Sequence, residues 1–142
     1  MIDKEVISRK VSQLLDYVDA LERGRDIDWE KYQEDIRAKA FVERYLHLAI
    51  EAVCDIANHI VSYERWREPS GYRDLFEVLS DNGVIPKEYL NKFQNMAAFR
   101  NILVHRYNKI EDEVVFGIFR NRLDDFRLFV DILREWRKRQ EG

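Results

Sequence analysis

Apolar residues recur along the chain at intervals of three and four, the spacing that puts side chains on one face of an α-helix. Ile7, Val11, Leu14, Val18 and Leu21 define a first helix over Ile2–Arg23, with Gly24 as its stop. Asp28 stands where the N-cap of the next element belongs. Neither Gly nor Pro interrupts residues 28–66, where Leu46, Ile50, Val53, Ala57 and Ile60, widened by Ala49, Ala52 and Ile56, predict one long, largely buried helix, straight or bent. Its other side carries Glu51, Asp55, Asn58 and Ser62 at helical spacing, so a polar stripe runs beside the core stripe. Glu68-Pro69-Ser70-Gly71 ends that run, and residues 72–79 form a short helix closed by Asp81-Asn82-Gly83. Pro86 suits the first turn of a further helix reaching about His105. The last helix begins near Glu111, with the stripe Phe116, Phe119, Leu123, Phe126, Val130 and Leu133. The pattern predicts an all-α, up-and-down bundle of four main helices and a short one, in a single domain over residues 1–142.

Composition narrows the function classes more than the fold. Five Gly and two Pro among 142 residues leave little turn chemistry for strands, which agrees with long helices. Lys and Arg number 24 against 27 Asp and Glu, a formal net charge of -3, so the chain as a whole is no polyanion binder. Contact with nucleic acid has to be local, or be assembled from two copies. The single cysteine, Cys54, lies in an apolar helical pattern, which excludes an intrachain disulfide or a cysteine zinc site and reads as packing. The start Met-Ile-Asp-Lys-Glu lacks the form of a secretory signal, and no stretch approaches the roughly 18 apolar residues of a membrane span, which sets the cytoplasm as the expected location.

The chemical anomaly lies in the fourth main pattern. Its stripe runs Tyr89, Phe93, Met96, Arg100, Leu103, Tyr107, and an arginine amid such a stripe has to be paired or to face a cavity or partner. A structural ion pair with Asp55 or Glu51 on the long helix is one reading. His105 supports another, because histidine moves protons near neutral pH while arginine holds phosphate oxygens as charge builds on them. Those two groups suffice, without a metal or cofactor, for attack of a ribose 2'-hydroxyl on the adjacent phosphate. Five residues on a straight helix separate His105 from Arg100 by about 140° and about 7.5 Å, so they share no face. Either the helix ends near His105, or a second copy completes the site.

The segment Arg100-Asn101-Ile102-Leu103-Val104-His105-Arg106-Tyr107 resembles the R-x-x-x-x-H-x-Y motif of HepT-like proteins in the HEPN superfamily. Residues 43–60 are similar to that family's second helix, and Tyr72-Arg73-Asp74-Leu75-Phe76 through Met96-Ala97-Ala98-Phe99 to its run-up to the motif. The likeness spans the chain from about Arg44 onward, while the first 40 residues fit by helix content only. It implies a helical homodimer whose motifs meet at the subunit interface as a metal-independent endoribonuclease site, the toxin of a toxin-antitoxin pair. On that carry-over Arg100 and His105 are catalytic and Asn101 is the polar residue following the motif arginine. Tyr107 is the motif tyrosine, adenylylated by the partner antitoxin, a minimal nucleotidyltransferase. Glu51 and Asp55 are expected as supporting groups that orient Arg100 or His105.

Other features have plainer readings. His47 and His59 flank Glu51 and Asp55 at helical steps, but no matching ligand element stands on the later helices, so a metal site is not expected. The basic tail Arg134, Arg137, Lys138 and Arg139 suits a solvated helix end or an RNA contact. Trp29, Trp66 and Trp136 read as packing. Two competing functions stay open: a non-catalytic module that binds, and is adenylylated by, a nucleotidyltransferase, and a nucleotide-binding helical regulator.

Overall fold

The computed structural model describes residues 2–104 and 109–141, and there it is helical with no strand. The order is α1 (Ile2–Arg23), α2 (Trp29–Glu34), α3 (Ile36–Tyr63), α4 (Tyr72–Asp81), α5 (Lys87–Val104), α6 (Lys109–Asn121) and α7 (Leu123–Glu141). α3 is the hub of an up-and-down bundle, in contact with every other helix, while α1 also packs along α7 and α4 along α5. Its predicted stripe is the core seam: Leu46, Ala49, Ile50, Val53, Ile56, Ala57 and Ile60 are all buried. Each large apolar side chain there contributes roughly 1.5–3 kcal/mol on burial, so this seam outweighs local helix propensity in fixing the bundle. Among the described residues, no helix is long and apolar enough to cross a membrane.

Two predicted helices are each divided. The run expected over 28–66 breaks at Asp35, whose backbone is extended (φ -99°, ψ 108°) and which serves as C-cap of α2 and N-cap of α3. Its carboxylate accepts hydrogen bonds from the amides of Arg37 at 2.9 Å and Ala38 at 3.4 Å, satisfying donors that a helix start leaves open. The break turns α2 so that Trp29 and Tyr32 stack on each other and both rings meet Phe116 of α6 at 5.4 Å. Tyr32 is thereby fully buried, with its hydroxyl donating to Glu43 at 3.1 Å. The last helix likewise divides at Arg122, whose carbonyl accepts from the Asp125 amide at 3.1 Å as a new first turn begins. Asp124 and Asp125 place negative charge at that start, where the helix dipole favours it. The apolar stripe passes through the break, because Phe119, Leu123 and Phe126 are all buried.

Local signals elsewhere act as expected. Asp28 caps α2 by accepting from the Lys31 amide at 2.8 Å. Gly24 follows α1, and its smallness is required by packing: a Cβ there would come within 2.6 Å of the Phe41 ring. Trp66 and Trp136 meet edge to face at 6.3 Å, which confirms the packing role of the tryptophans. Part of the basic tail is tied down, since Arg137 donates to the Lys4 carbonyl and Ser8 hydroxyl and Arg139 to the Gly83 carbonyl.

Removing the divided helix's cap tests this account. Asp35→Ala is expected to lower stability by about 0.5–2 kcal/mol in urea denaturation, with Asp35→Asn close to wild type. An unchanged midpoint in Asp35→Ala would mean that aromatic packing of α2 alone holds the break.

Candidate functional site

The packing of α5 against α3 answers the question raised by the arginine in the apolar stripe. Arg100 is half-buried, and its Nε donates to Oε1 of Glu51 on α3 in a close ion pair. Glu51, rather than Asp55, is therefore its partner. Because the bond uses the inner nitrogen, it does not consume the two terminal nitrogens, which form the fork that suits phosphate oxygens. His47, one turn earlier on α3, has its Nε2 3.7 Å from the same Glu51 oxygen. One carboxylate thus stands between an arginine and a histidine.

The second support comes from across a loop. The Arg100 guanidinium lies over the Tyr72 ring, 5.2 Å from its centroid, at the first residue of α4. Cation–π attraction and the Glu51 ion pair hold the same group from two directions. The bond to Glu51 raises the guanidinium's pKa further, keeping it charged under all ordinary conditions. Desolvation pushes the Tyr72 hydroxyl above its usual range, with Glu51 and Asp55 adding to the rise and Arg100 opposing it. Tyr72 is 37% exposed, so the platform opens to solvent.

Beneath the pair lies Cys54, 3% exposed. Burial first, then the Glu51 charge, push its thiol up to about 12, with Arg100 pulling the other way. It is a packing residue, as the helical pattern implied. Asp55 is exposed one turn beyond Glu51 and acts on this cluster through its field on Cys54 and Tyr72. Asn101 is exposed and, as the next residue on α5, is turned by about 100° from Arg100. His105 and Tyr107 lie outside the described residues. Among the described residues no group of three or more His, Cys, Asp or Glu side chains is placed to hold a metal ion.

Reasoning from the sequence found Arg100 and Glu51 but missed Tyr72, which it read only as the start of a short helix. It also weighed His47 as a metal ligand, whereas the histidine faces Glu51. Periodicity along one helix carries no information about which residue of another helix covers its polar face. The Tyr72 contact had no signal of that kind.

Comparison with known proteins identifies the family. The family model described as ribonuclease HepT-like matches residues 11–133. The mRNA nuclease HepT of Shewanella oneidensis is 30% identical over 107 residues, covering 75% of this chain and 80% of that protein. The tRNA nuclease HepT of Aphanizomenon flos-aquae is 25% identical over 129 residues, covering 91% and 88%. Among solved structures, the tri-AMPylated Shewanella oneidensis HEPN toxin in complex with MNT antitoxin superposes with a TM-score of 0.81 at 26% identity, covering 92% of this chain and 97% of that one.

The burial of Cys54 gives a direct check. A maleimide reagent at neutral pH is expected to leave the folded protein unlabelled and to label it once unfolded in denaturant, because only the thiolate reacts. Rapid labelling of the native protein would show that the α3–α5 contact opens.

Proposed function

The chain belongs to the ribonuclease HepT-like family, and from that premise we propose that it is the toxin of a toxin-antitoxin pair, an endoribonuclease that cuts RNA through Arg100 and His105. The observation that carries this reading is the mode in which Arg100 is held. Its Nε is fixed by Glu51 and its plane by Tyr72, and neither contact uses the terminal nitrogens in a hydrogen bond. An arginine fixed at Nε and half-exposed presents its outer nitrogens in a set direction. One that receives a phosphodiester needs both that orientation and that exposure.

In this reaction His105 accepts the proton of the ribose 2'-hydroxyl as the oxygen attacks phosphorus. The P–O5' bond breaks, the leaving 5'-oxygen takes up a proton, and the products are a 2',3'-cyclic phosphate and a 5'-hydroxyl. Arg100 neutralises the negative charge that grows on the non-bridging oxygens. Glu51 has a positioning role, and Asp55 contributes through its charge. The helical offset between Arg100 and His105 supports a composite site between two copies of the chain, each supplying its own arginine and histidine. Its partner is a minimal nucleotidyltransferase that transfers AMP to Tyr107. The solved toxin of Shewanella oneidensis, AMP-modified and bound to an MNT antitoxin, supports that reading.

Purified protein should cleave RNA in the presence of a chelator and leave cyclic phosphate ends. Arg100→Ala and His105→Ala should each slow cleavage by about a hundredfold or more. Arg100→Lys should fail nearly as badly, because lysine cannot bind Glu51 through one nitrogen and phosphate through two others. Cleavage at the wild-type rate by either alanine variant overturns the assignment. A protein that neither cuts RNA nor slows growth, yet binds the nucleotidyltransferase and accepts AMP on Tyr107, would be the non-catalytic module.

A further inference from the structure

Tyr72 does more than support Arg100, because it also lines a surface cleft that the cleavage chemistry does not use. The cleft has a volume of about 280 Å³ and is bounded by Asn58, Glu68, Pro69, Gly71, Tyr72 and Leu75. That lies just under the ~300 Å³ at which pockets for whole drug-sized ligands begin, so it suits a single nucleobase. Its lining includes buried Leu75 and half-buried Pro69 on the apolar side and the exposed residues Asn58 and Glu68 on the polar side. Arg100 lies over the Tyr72 ring, which is also 37% exposed and lines the cleft, so the ring can offer a stacking surface there.

The wall of this cleft is held firmly for a surface loop. Asp74 accepts both ends of the Arg67 guanidinium fork, at 2.6 and 2.8 Å, together with the Ser70 amide at 2.9 Å and the Ser70 hydroxyl at 3.2 Å. Those bonds keep the Asp74 carboxyl far below the usual carboxylate range. At the other end of the connection, Arg65 adopts a left-handed backbone (φ 57°) that glycine usually fills, closing α3 as Trp66 packs on Trp136. Residues 67–71 are therefore fixed at both ends, and the cleft is formed in advance of any ligand.

We propose that this cleft is the base pocket of the ribonuclease site, selecting a guanine next to the phosphate held by Arg100. The inference rests on the ribonuclease reading of that arginine. Single-stranded RNA is recognised by stacking bases on aromatic rings and bonding their Watson–Crick edges. Among the four bases, guanine alone presents two adjacent N–H donors, N1–H and N2–H, on that edge, and a carboxylate such as Glu68 accepts both. Adenine and the pyrimidines each place an acceptor where guanine has one of these donors, and a carboxylate repels it. Asn58 supplies a neutral amide for the remaining polar atoms. Tyr72 links the two functions, since the same ring orients the phosphate-binding arginine and stacks the neighbouring base.

Two measurements test this. In the first, RNA oligonucleotides differing only in one base are cut by the wild-type protein and the new ends are sequenced. Guanine next to the cut should be preferred over adenine by about tenfold, the discrimination typical of one good bidentate contact. Glu68→Ala should bring the two within about twofold, and Tyr72→Leu should reduce both preference and rate. In the second, binding of uncleavable 2'-O-methyl oligonucleotides carrying guanine or adenine is compared in wild type and Glu68→Ala. A guanine preference that depends on Glu68 in this assay supports the pocket even if no cleavage is seen, in which case the ribonuclease reading alone fails. Equal binding of both bases by the wild type, or a preference unchanged in Glu68→Ala, overturns the pocket.

Discussion

A guanidinium embedded in the apolar face of a helix is the constraint around which this bundle is arranged. Arg100 follows Phe93 and Met96 along α5, both buried. A charge in that position destabilises the fold unless something neutralises it. The neutralising group comes from a facing helix, where α5 packs on α3, and Glu51 interrupts the rim of the helix that carries the core seam. The half-exposed geometry limits how much this pair stabilises the chain, because water screens it. Its value lies in orientation. A pair fixed at Nε, flanked by a tyrosine ring, keeps one face of the guanidinium aimed and available.

The two helix breaks serve the same end. α3 can act as a hub touching every other helix only if the chain before it turns away, and Asp35 makes that turn while leaving the α3 core seam intact. α2 then closes against α6 through Trp29, Tyr32 and Phe116, which packs the middle of α6 on α2. Lys39 adds to this, bonding Asp112 of α6 at 2.7 Å. α5 and α6, which flank the motif segment in the sequence, thus both pack on the hub.

Much of this was legible in the sequence, and the missing parts share one physical reason. Core stripes on α1, α3 and the α6–α7 pair follow directly from spacing, because burial selects apolar residues regardless of what covers them. The breaks at Asp35 and Arg122 were hidden since neither contains Gly or Pro. There the chain is redirected by a side-chain cap and by aromatic packing from remote residues, which periodicity averages over. Arg100 announced itself as a charge in the wrong place, and the choice between Glu51 and Asp55 waited on the rotation of α3. Tyr72 had no signal at all, because its role depends on a loop that returns α4 to the face of α5. Sequence patterns report what a residue must avoid, chiefly water or its absence, and report partners only when they lie within a few turns.

The charge balance explains why such local devices matter. A chain with a net charge of -3 gains little from general attraction to RNA, and several of its guanidinium groups are engaged within the fold: Arg67 with Asp74, Arg127 with Glu22 and Asp124, Arg120 with backbone carbonyls. Affinity then depends on a few short-range contacts at the site itself. On the proposed function, recognition then runs through the phosphate and a neighbouring base rather than through a broad positive surface. It is also open to control by small additions of charge. Transfer of AMP to Tyr107, two residues from His105, would place a negative phosphodiester beside the few cations that bind substrate. On a strongly basic nuclease the surrounding field would mask that charge. Here little opposes it, so on the proposed reading added AMP at the motif would compete with the RNA phosphate for Arg100.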